Sequence, residues 1–465
     1  MPIWSTKNLI RPPLLVLAGV ELLILFSSIY VAGILVFGSY AESARLLDPI
    51  APKAAAVAVV ILTSLIAMGL YQFHQRLYFR EAVVRLLVGL AIGCLALAIL
   101  FYALPTVMIS RDVASIAVGY ALVLLIGVRF YFVRTVDENM FRRRTLIFGA
   151  GDRAAAIQDL RRRADRRGFK IVGQVAAPGD KIAVAGEILK TNGKSITDFA
   201  FERGAEEIVV ALDDRRGNLP VRDLLNAKLR GIDVIDLMEF LERESGKIRV
   251  DLVNPGWLVF SPGFRMSKLR KFNKRLCDLA AATVLLFFAW PVMLFIALAI
   301  KLEDGPAAPV FYRQVRVGRG EKNFEVLKFR SMRTDAEADG NAVWASKNDS
   351  RITKVGNFLR VSRLDELPQV LNVLRGNMSL VGPRPERPEF VANLEEKIPY
   401  YAERHTVKPG VTGWAQLRYS YGASEEDAVE KLQYDLYYIK NQNFMLDVII
   451  LLQTVEVVLW GKGAR

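Results

Sequence analysis

Histidine and cysteine are almost missing from this chain of 465 residues: it has two of each. Cys94 and Cys277 both lie inside apolar runs, which excludes a disulfide framework and a cysteine zinc site. His74 and His405 are too few for any mechanism that needs a histidine cluster, so carboxylates and arginines must carry the chemistry. No low-complexity tract and no internal repeat is present, which excludes disordered and solenoid architectures. Charge is nearly absent from the depths of four long apolar stretches near the start, where Glu21 and Arg129 are the exceptions and Lys53 and Arg85 lie near stretch ends.

What is present points to a membrane protein with a large aqueous part. Hydrophobic residues make up 52% and charged residues 24%, with a mean hydropathy of +0.25. The length suggests roughly three domains. The net charge of +14 and pI of about 9.7 favour acidic surfaces such as anionic lipid, nucleotide phosphates or nucleic acid. The four stretches, residues 13–37, 51–69, 82–104 and 113–133, each reach the length needed to cross a bilayer as a helix. The first is too long for a signal peptide and more spans follow it. With the N-terminus inside, inner segments carry Lys7, Arg11, Arg76, Arg80, Arg85, Arg134, Arg142, Arg143 and Arg144, against Arg45, Lys53 and Arg111 outside. That asymmetry places the N-terminus in the cytoplasm, and four crossings return the chain there. So few buried charges suit an anchor rather than a transport path, and Arg129 is close enough to a span end to snorkel.

From about Thr145 the pattern changes to short apolar runs alternating with polar helical stretches, a βα alternation that implies a parallel sheet. The first turn, Gly149-Ala150-Gly151-Asp152-Arg153-Ala154-Ala155, matches G-x-G-x-x-A, in which Gly149 and Gly151 would let a helix N-terminus hold a cofactor phosphate. A dinucleotide site also wants an acid at the end of the second strand. That strand ends Gln174-Val175-Ala176-Ala177 and has none, so a structural or regulatory Rossmann-like domain fits better than an NAD enzyme. The basic stretch Arg161, Arg162, Arg163, Arg166 and Arg167 reads as a solvated helix face or a contact with anionic lipid headgroups. No nucleic-acid recognition module is visible.

A fifth apolar stretch, about 276–302, is long enough to span but has Pro291 at its middle, where proline removes a helix hydrogen bond and bends the chain. A plain crossing would put the phosphate-type residues that follow on the wrong side for cytoplasmic nucleotides. A helix that enters, kinks and returns avoids this.

The block after it supplies Arg313, Arg316, Arg319, Lys328 and Arg330 on strand-like runs, then "SRLDELPQVLNVLRGNMSLVGPRP". Apolar residues from Leu364 to Leu374 recur at helical spacing, with Ser362 or Asp365 able to start the helix. One reading is structural: Ser362 and Asp365 form a capping pair and Glu366 complements the helix dipole. The other is chemical. The dipole holds both carboxylates ionised, and their side chains diverge by about 100° around the axis. One can then attack while the other holds Mg²⁺, which prefers few carboxylates plus substrate phosphate oxygens. Gly382-Pro383-Arg384-Pro385 is a stiff turn that fixes an arginine fork for phosphate. Together these suit phosphoryl transfer through an acyl-phosphate.

These motifs, with "KRLCDLAAATVLLFFAWP", "KFRSM", "HTVKPGVTGWAQ" and "DLYYIKN", resemble the polyprenyl-phosphate sugar phosphotransferases, or bacterial sugar transferases. The resemblance covers Phe272 to the C-terminus. The whole chain is similar to the long members of that family, and the ending "VEVVLWGKGAR" to their exosortase-associated exopolysaccharide branch. The resemblance implies a four-span α-helical bundle (1–140), an α/β Rossmann-like domain (141–260) and a monotopic α+β catalytic domain (261–465) with a re-entrant helix. It implies transfer of a sugar-1-phosphate from a UDP-sugar, such as a UDP-glucose or UDP-galactose, to undecaprenyl phosphate, releasing UMP. This would start exopolysaccharide or O-antigen-type synthesis at the bacterial inner membrane, with soluble domains and C-terminus in the cytoplasm. Asp365 would be the nucleophile, Glu366 would bind Mg²⁺ or assist the second attack, and Arg384, with Arg330, Arg363 and His405, would hold phosphate. Long members tend to dimerise, so a homodimer at membrane lipid is expected.

The alternatives are a non-catalytic scaffold or nucleotide sensor of a polysaccharide assembly complex, and an NAD-dependent sugar dehydratase or epimerase. Intact Asp365, Glu366 and Arg384 argue against the first. The missing ribose acid and the absence of a Tyr-x-x-x-Lys pair argue against the second.

Overall fold

In the computed structural model the chain is described over residues 12–71, 79–135, 142–160, 165–166, 168–191, 193–215, 218–253, 255–333, 351–419, 422 and 424–460. Arg161, Arg162, Arg163 and Arg167 of the basic stretch lie outside the described residues, as do Lys7, Arg11, Arg76 and Arg465. The chain packs as two compact units, 1–245 and 246–465.

The first unit opens with α1 (Pro12–Phe37), the short α2 (Tyr40–Leu46), α3 (Ile50–Ala67), α4 (Phe79–Ala103) and α5 (Arg111–Thr135). All but α2 are long and apolar enough to cross a membrane. Leucine and valine run around these helices rather than along one stripe, and Leu15, Val16, Leu23, Leu35, Val59, Leu95 and Val123 face outward, as lipid-exposed helices require. α1 packs on α3 and α5, and α3 on α4.

Glu21 and Arg129 meet inside this bundle. Arg129 Nε donates to Glu21 Oε1 at 2.5 Å and Nη2 to Oε2 at 2.9 Å, while Nη1 reaches the Leu70 carbonyl at 2.7 Å. Tyr71 also donates its hydroxyl to Glu21. Glu21 is 0% exposed and Arg129 4%, so Arg129 does not snorkel to the interface. A bidentate partner within reach lowers the cost of burial more than a long route to water would.

The rest of the unit is a four-stranded parallel sheet in the order β2-β1-β3-β4, built from β1 (Arg143–Phe148), β2 (Phe169–Val175), β3 (Glu207–Val210) and β4 (Asp233–Asp236). Leu146, Phe148, Ile208 and Val210 bury against Phe199, Ala200, Leu224 and Ala227 of the crossover helices α7 (Ile196–Glu202) and α8 (Val221–Leu229), which follow the short α6 (Asp152–Gln158). β1 and β3 are buried on both faces, which is why they read as continuous apolar runs. After β4, α9 (Leu237–Ser245) closes the unit.

The second unit starts earlier than residue 261. Gly246 accepts the Trp414 indole N–H at 2.8 Å, and the Ile248 amide donates to the Gln433 carbonyl at 3.0 Å. After α10 (Pro255–Phe260), α11 runs from Lys268 to Asp304, through Pro291 and eight residues ahead of the expected start. Then come a β-hairpin of β5 (Phe311–Val317) and β6 (Asn323–Phe329), α12 (Lys354–Val361), α13 (Gln369–Arg375), β7 (Ser379–Val381), α14 (Pro388–Lys397), β8 (Gly410–Thr412), α15 (Trp414–Arg418), α16 (Glu425–Asn441) and α17 (Phe444–Trp460). β7 and β8 pair in parallel. α17 packs on them through Leu446 and Ile450, which are buried.

Both halves of α11 are tied to this one unit. Near its start, Arg275 donates to the Val373 and Leu374 carbonyls at 2.6 and 2.8 Å, capping the end of α13. Asp278 accepts from Ser379 Oγ at 2.8 Å and from the Leu380 amide at 3.2 Å. Near its end, Ile296 and Ile300 pack with Phe329 and Leu359, and Glu303 accepts the Lys354 and Val355 amides at 2.7 and 2.9 Å. Between these anchors Phe287, Trp290, Leu294 and Phe295 are exposed.

Candidate active site

The local structure around Asp365 differs from the expected helix start. Ser362 does not begin a helix; it ends α12, with its hydroxyl donating back to the Phe358 carbonyl at 2.7 Å. Arg363 follows with φ +55°, a left-handed backbone that turns the chain sharply. Leu364–Glu366 is a single 3₁₀ turn, and α13 starts only at Gln369, after Pro368. The Ser362–Asp365 capping pair is therefore not formed. In a 3₁₀ turn successive side chains diverge by about 120°, so Asp365 and Glu366 still point apart.

Glu366 is the charge hub. Its Oε1 accepts from Arg384 Nη2 at 2.7 Å and from Lys328 Nζ at 3.0 Å. Burial pushes this carboxyl upward, but the two cations outweigh it and hold Glu366 well below the ordinary carboxylate range. The Asp365 carboxyl shifts the other way. Burial raises its carboxyl, Lys328 opposes that, and the Glu366 charge adds to it. Asp365 makes no hydrogen bond among the described residues. The two neighbours are thus split into one firmly ionised acid and one with raised proton affinity and open lone pairs.

Both cations are held from behind. Lys328 lies on β6, whose Leu327 amide donates to Asn372 Oδ1 at 3.0 Å, while Asn372 Nδ2 donates to the Glu325 carbonyl at 2.6 Å. Asn372 is fully buried, so it pins β6 to α13 and sets Lys328 beside Glu366. The Arg384 turn presses against the loop before β8. The Gly410 amide donates to the Pro383 carbonyl at 2.9 Å, and a Cβ on Gly410 would stand 2.1 Å from the Gly382 nitrogen. Only glycine permits that approach. Arg316 adds a bond from Nη1 to the Pro385 carbonyl at 3.1 Å.

The expected phosphate ligands are dispersed. Arg384 joins Glu366. Arg330 instead donates from Nε to the Pro309 carbonyl at 3.0 Å, fixing the turn before β5. Arg363 lies in the left-handed turn two residues before Asp365. His405 is buried beside Glu395 and Tyr401. Lys328 stands out in the sequence only as one of five basic residues on strand-like runs, in "KFRSM", with nothing to show which carboxylate it meets.

The glycine turn of the first unit is occupied by the chain itself. Asp213 accepts the Asp152 and Arg153 amides at 3.0 and 2.8 Å, and Asp180 accepts the Ala150 amide at 2.9 Å. A Cβ on Gly151 would stand 1.8 Å from Asp213 Oδ2. Gly149 and Gly151 therefore cradle an internal carboxylate at the turn where the G-x-G-x-x-A pattern could have held a phosphate. The helix amides are already satisfied, and a phosphate would meet two negative charges.

Mg²⁺ fits the pair in the second unit by donor chemistry. Glu366 Oε2 is left over from the Lys328 and Arg384 contacts, and the Asp365 carboxylate is unengaged beside it. Few carboxylates with room for phosphate oxygens is the set that ion prefers.

Comparison with known proteins gives concordant matches. The family model described as bacterial sugar transferase matches residues 269–461. A UDP-N-acetylgalactosamine-undecaprenyl-phosphate N-acetylgalactosaminephosphotransferase of Aeromonas hydrophila is 41% identical over 244 residues, 52% of this chain and 56% of the relative. A UDP-glucose:undecaprenyl-phosphate glucose-1-phosphate transferase of Xanthomonas campestris pv. campestris is 32% identical over 481 residues, 97% of this chain and 94% of the relative. One of the same name from Escherichia coli (strain K12) is 44% identical over 194 residues, 41% of each chain. The chain thus spans little more than half of the first relative and nearly all of the second.

Proposed function

This chain belongs to the bacterial sugar transferase family, and on that premise we propose that it moves a sugar-1-phosphate from a UDP-sugar to undecaprenyl phosphate. The observation that carries the reading is the division of labour between adjacent acids. Lys328 and Arg384 neutralise Glu366, while Asp365 keeps its lone pairs open.

An Asp365 carboxylate oxygen attacks the sugar-linked phosphorus, and the bond from that phosphorus to the bridging oxygen breaks. UMP leaves with the bridging oxygen. An oxygen of undecaprenyl phosphate then attacks the same phosphorus, the acyl-phosphate bond breaks, and the Asp365 carboxylate is restored. Arg384 and Lys328 stand where phosphate oxygens would arrive, and their charge favours the developing anion. A divalent cation such as Mg²⁺, held by Glu366 and Asp365, would neutralise phosphate charge.

The membrane arrangement belongs to the same proposal. α11 is read as a re-entrant helix: its exposed apolar middle would enter the bilayer, and its two ends are both tied to the catalytic unit. With the four N-terminal spans this puts the soluble parts on the cytoplasmic face of the bacterial inner membrane. One substrate is a lipid phosphate at headgroup level and the other a soluble anion, so a basic domain seated at the interface can meet both. A reporter fused after Arg465 tests this; a periplasmic signal would sink the re-entrant reading.

The reaction is tested by UMP release from a panel of UDP-sugars with undecaprenyl phosphate and Mg²⁺, using wild type and Asp365→Asn. Release with one donor, lost in the nearly isosteric variant, is the expected result. Near-normal turnover by Asp365→Asn would overturn the nucleophile, and no release with any donor would overturn the reaction.

A further inference from the structure

A second cluster of ligand-type side chains lies apart from Asp365 and Glu366. Glu321 sits in the turn between β5 and β6, Glu395 on α14, and His405 in the 3₁₀ turn Tyr401–Thr406. One ligand atom from each lies within 4.8 Å of the other two. His405 Nδ1 stands 3.5 Å from Glu395 Oε1. His405 is only 6% exposed, yet neither of its ring nitrogens has a hydrogen-bond partner. Buried polar atoms are rarely left that way, and one aimed at two carboxylates calls for something between them.

The local charges ask for a cation. Neither Glu321 nor Glu395 forms an ion pair with a lysine or arginine among the described residues. Burial pushes the Glu395 carboxyl up, and the Glu321 charge pushes it further. The imidazole that faces them offers two ring nitrogens with no hydrogen-bond partner. A neutral imidazole is the form that ligates metal. The two carboxylates also make this a poor place for a phosphate.

We propose that Glu321, Glu395 and His405 form a second metal site that binds one first-row divalent cation, zinc or manganese. One imidazole nitrogen and two carboxylate oxygens form a donor set such ions accept, with a fourth position open to water. Tetrahedral zinc needs its ligand atoms about 3.4 Å apart. The His405–Glu395 pair stands at 3.5 Å, and the exposed Glu321 can rotate inward to close the third side. The cation would clamp α14 and the Tyr401–Thr406 turn to the β5–β6 turn. The residue before His405, Arg404, donates to the Arg384 carbonyl at 2.9 Å, so the clamp would steady the turn that carries Arg384. These three residues are therefore positioning residues, and the site is independent of the reaction proposed above.

The test uses the full-length, detergent-purified protein in an Asp365→Asn/Glu366→Gln background, so that the first carboxylate pair takes no metal. The protein is stripped with chelator, dialysed against micromolar Zn²⁺ or Mn²⁺, and its bound metal is measured by mass spectrometry. One equivalent per chain is expected, with affinity falling at least tenfold on adding Glu395→Gln, and likewise with Glu321→Gln. Both side chains are exposed, so neither change should disturb folding, which a thermal melt in chelator verifies. No bound metal in the background protein, or binding unchanged by both added substitutions, would overturn the proposal. So would metal that is retained by Glu395→Gln in otherwise wild-type protein but absent from the background.

Discussion

Arg404 donates from Nη2 to the backbone carbonyl of Arg384 at 2.9 Å, tying a buried cation to the main chain of the residue whose side chain reaches Glu366. The same nitrogen lies 2.9 Å from Asp435 Oδ2, and Nη1 donates to the Tyr401 hydroxyl at 2.6 Å. The stiff turn between Pro383 and Pro385 is thus aimed from inside the domain. Proline rigidity alone fixes the shape of that turn, not its direction.

Arg404→Met should therefore cost stability first. It leaves Asp435 buried and unpaired, a loss of about 3–5 kcal/mol by analogy with broken buried pairs. A large fall in the thermal midpoint of the purified protein is expected. An unchanged midpoint would show that Arg404 does not hold this region together.

Lys328→Met is expected to act on pH dependence as well as rate. Lys328 is the strongest influence opposing the rise of the Asp365 carboxyl. Removing it raises that carboxyl further. If ionised Asp365 is the nucleophile, the acid limb of kcat/KM moves to higher pH. An acid limb that stays in place or moves down would separate Asp365 from the rate-determining ionisation.

The sequence showed the membrane helices, the parallel sheet and the acid pair because each is written in local pattern. Four apolar runs of spanning length became α1, α3, α4 and α5, and runs such as "EEIVVAL" became strands. Asp365, Glu366 and Arg384 were legible because a dipeptide and a proline-bracketed arginine are short, distinctive signals. Long-range partners were not legible. Nothing near Lys328 shows that it meets Glu366, since the pairing depends on Asn372 pinning β6 from 45 residues away. The partner of the glycine turn was hidden for the same reason: the carboxylate it holds, Asp213, lies about 60 residues downstream. Ser362 misled because a serine near a helix boundary fits either end, and the left-handed Arg363 decides which.

Glu366→Gln tests the hub. The amide cannot neutralise two cations, so Lys328 and Arg384 are left facing each other, and a loss of turnover of about 100-fold or more is expected. The sign of the stability effect follows from the lowered carboxyl. Its folded-state proton affinity lies below the unfolded value near 4.5, so its contribution is present above that pH and is lost as pH falls toward the folded value. The melting difference between wild type and Glu366→Gln should be largest at neutral pH and shrink below about pH 4.5. A difference that grows on acidification would contradict the ion-pair origin.

The Glu21–Arg129 pair decides whether the N-terminal bundle is an anchor. Both groups are buried and bonded to each other, so each single neutralisation strands the other charge. Arg129→Met should lower the thermal midpoint in detergent, because Glu21 then loses the cation bonded to both of its oxygens. Adding Glu21→Gln removes the stranded charge and should recover most of the loss, since buried pairs are often no better than neutral replacements. If the helices serve only to hold the enzyme at the membrane, UMP release per folded molecule stays near wild type in the double variant. A double variant that melts normally but no longer turns over would give this pair a part in handling the lipid substrate, and the anchor reading would fall.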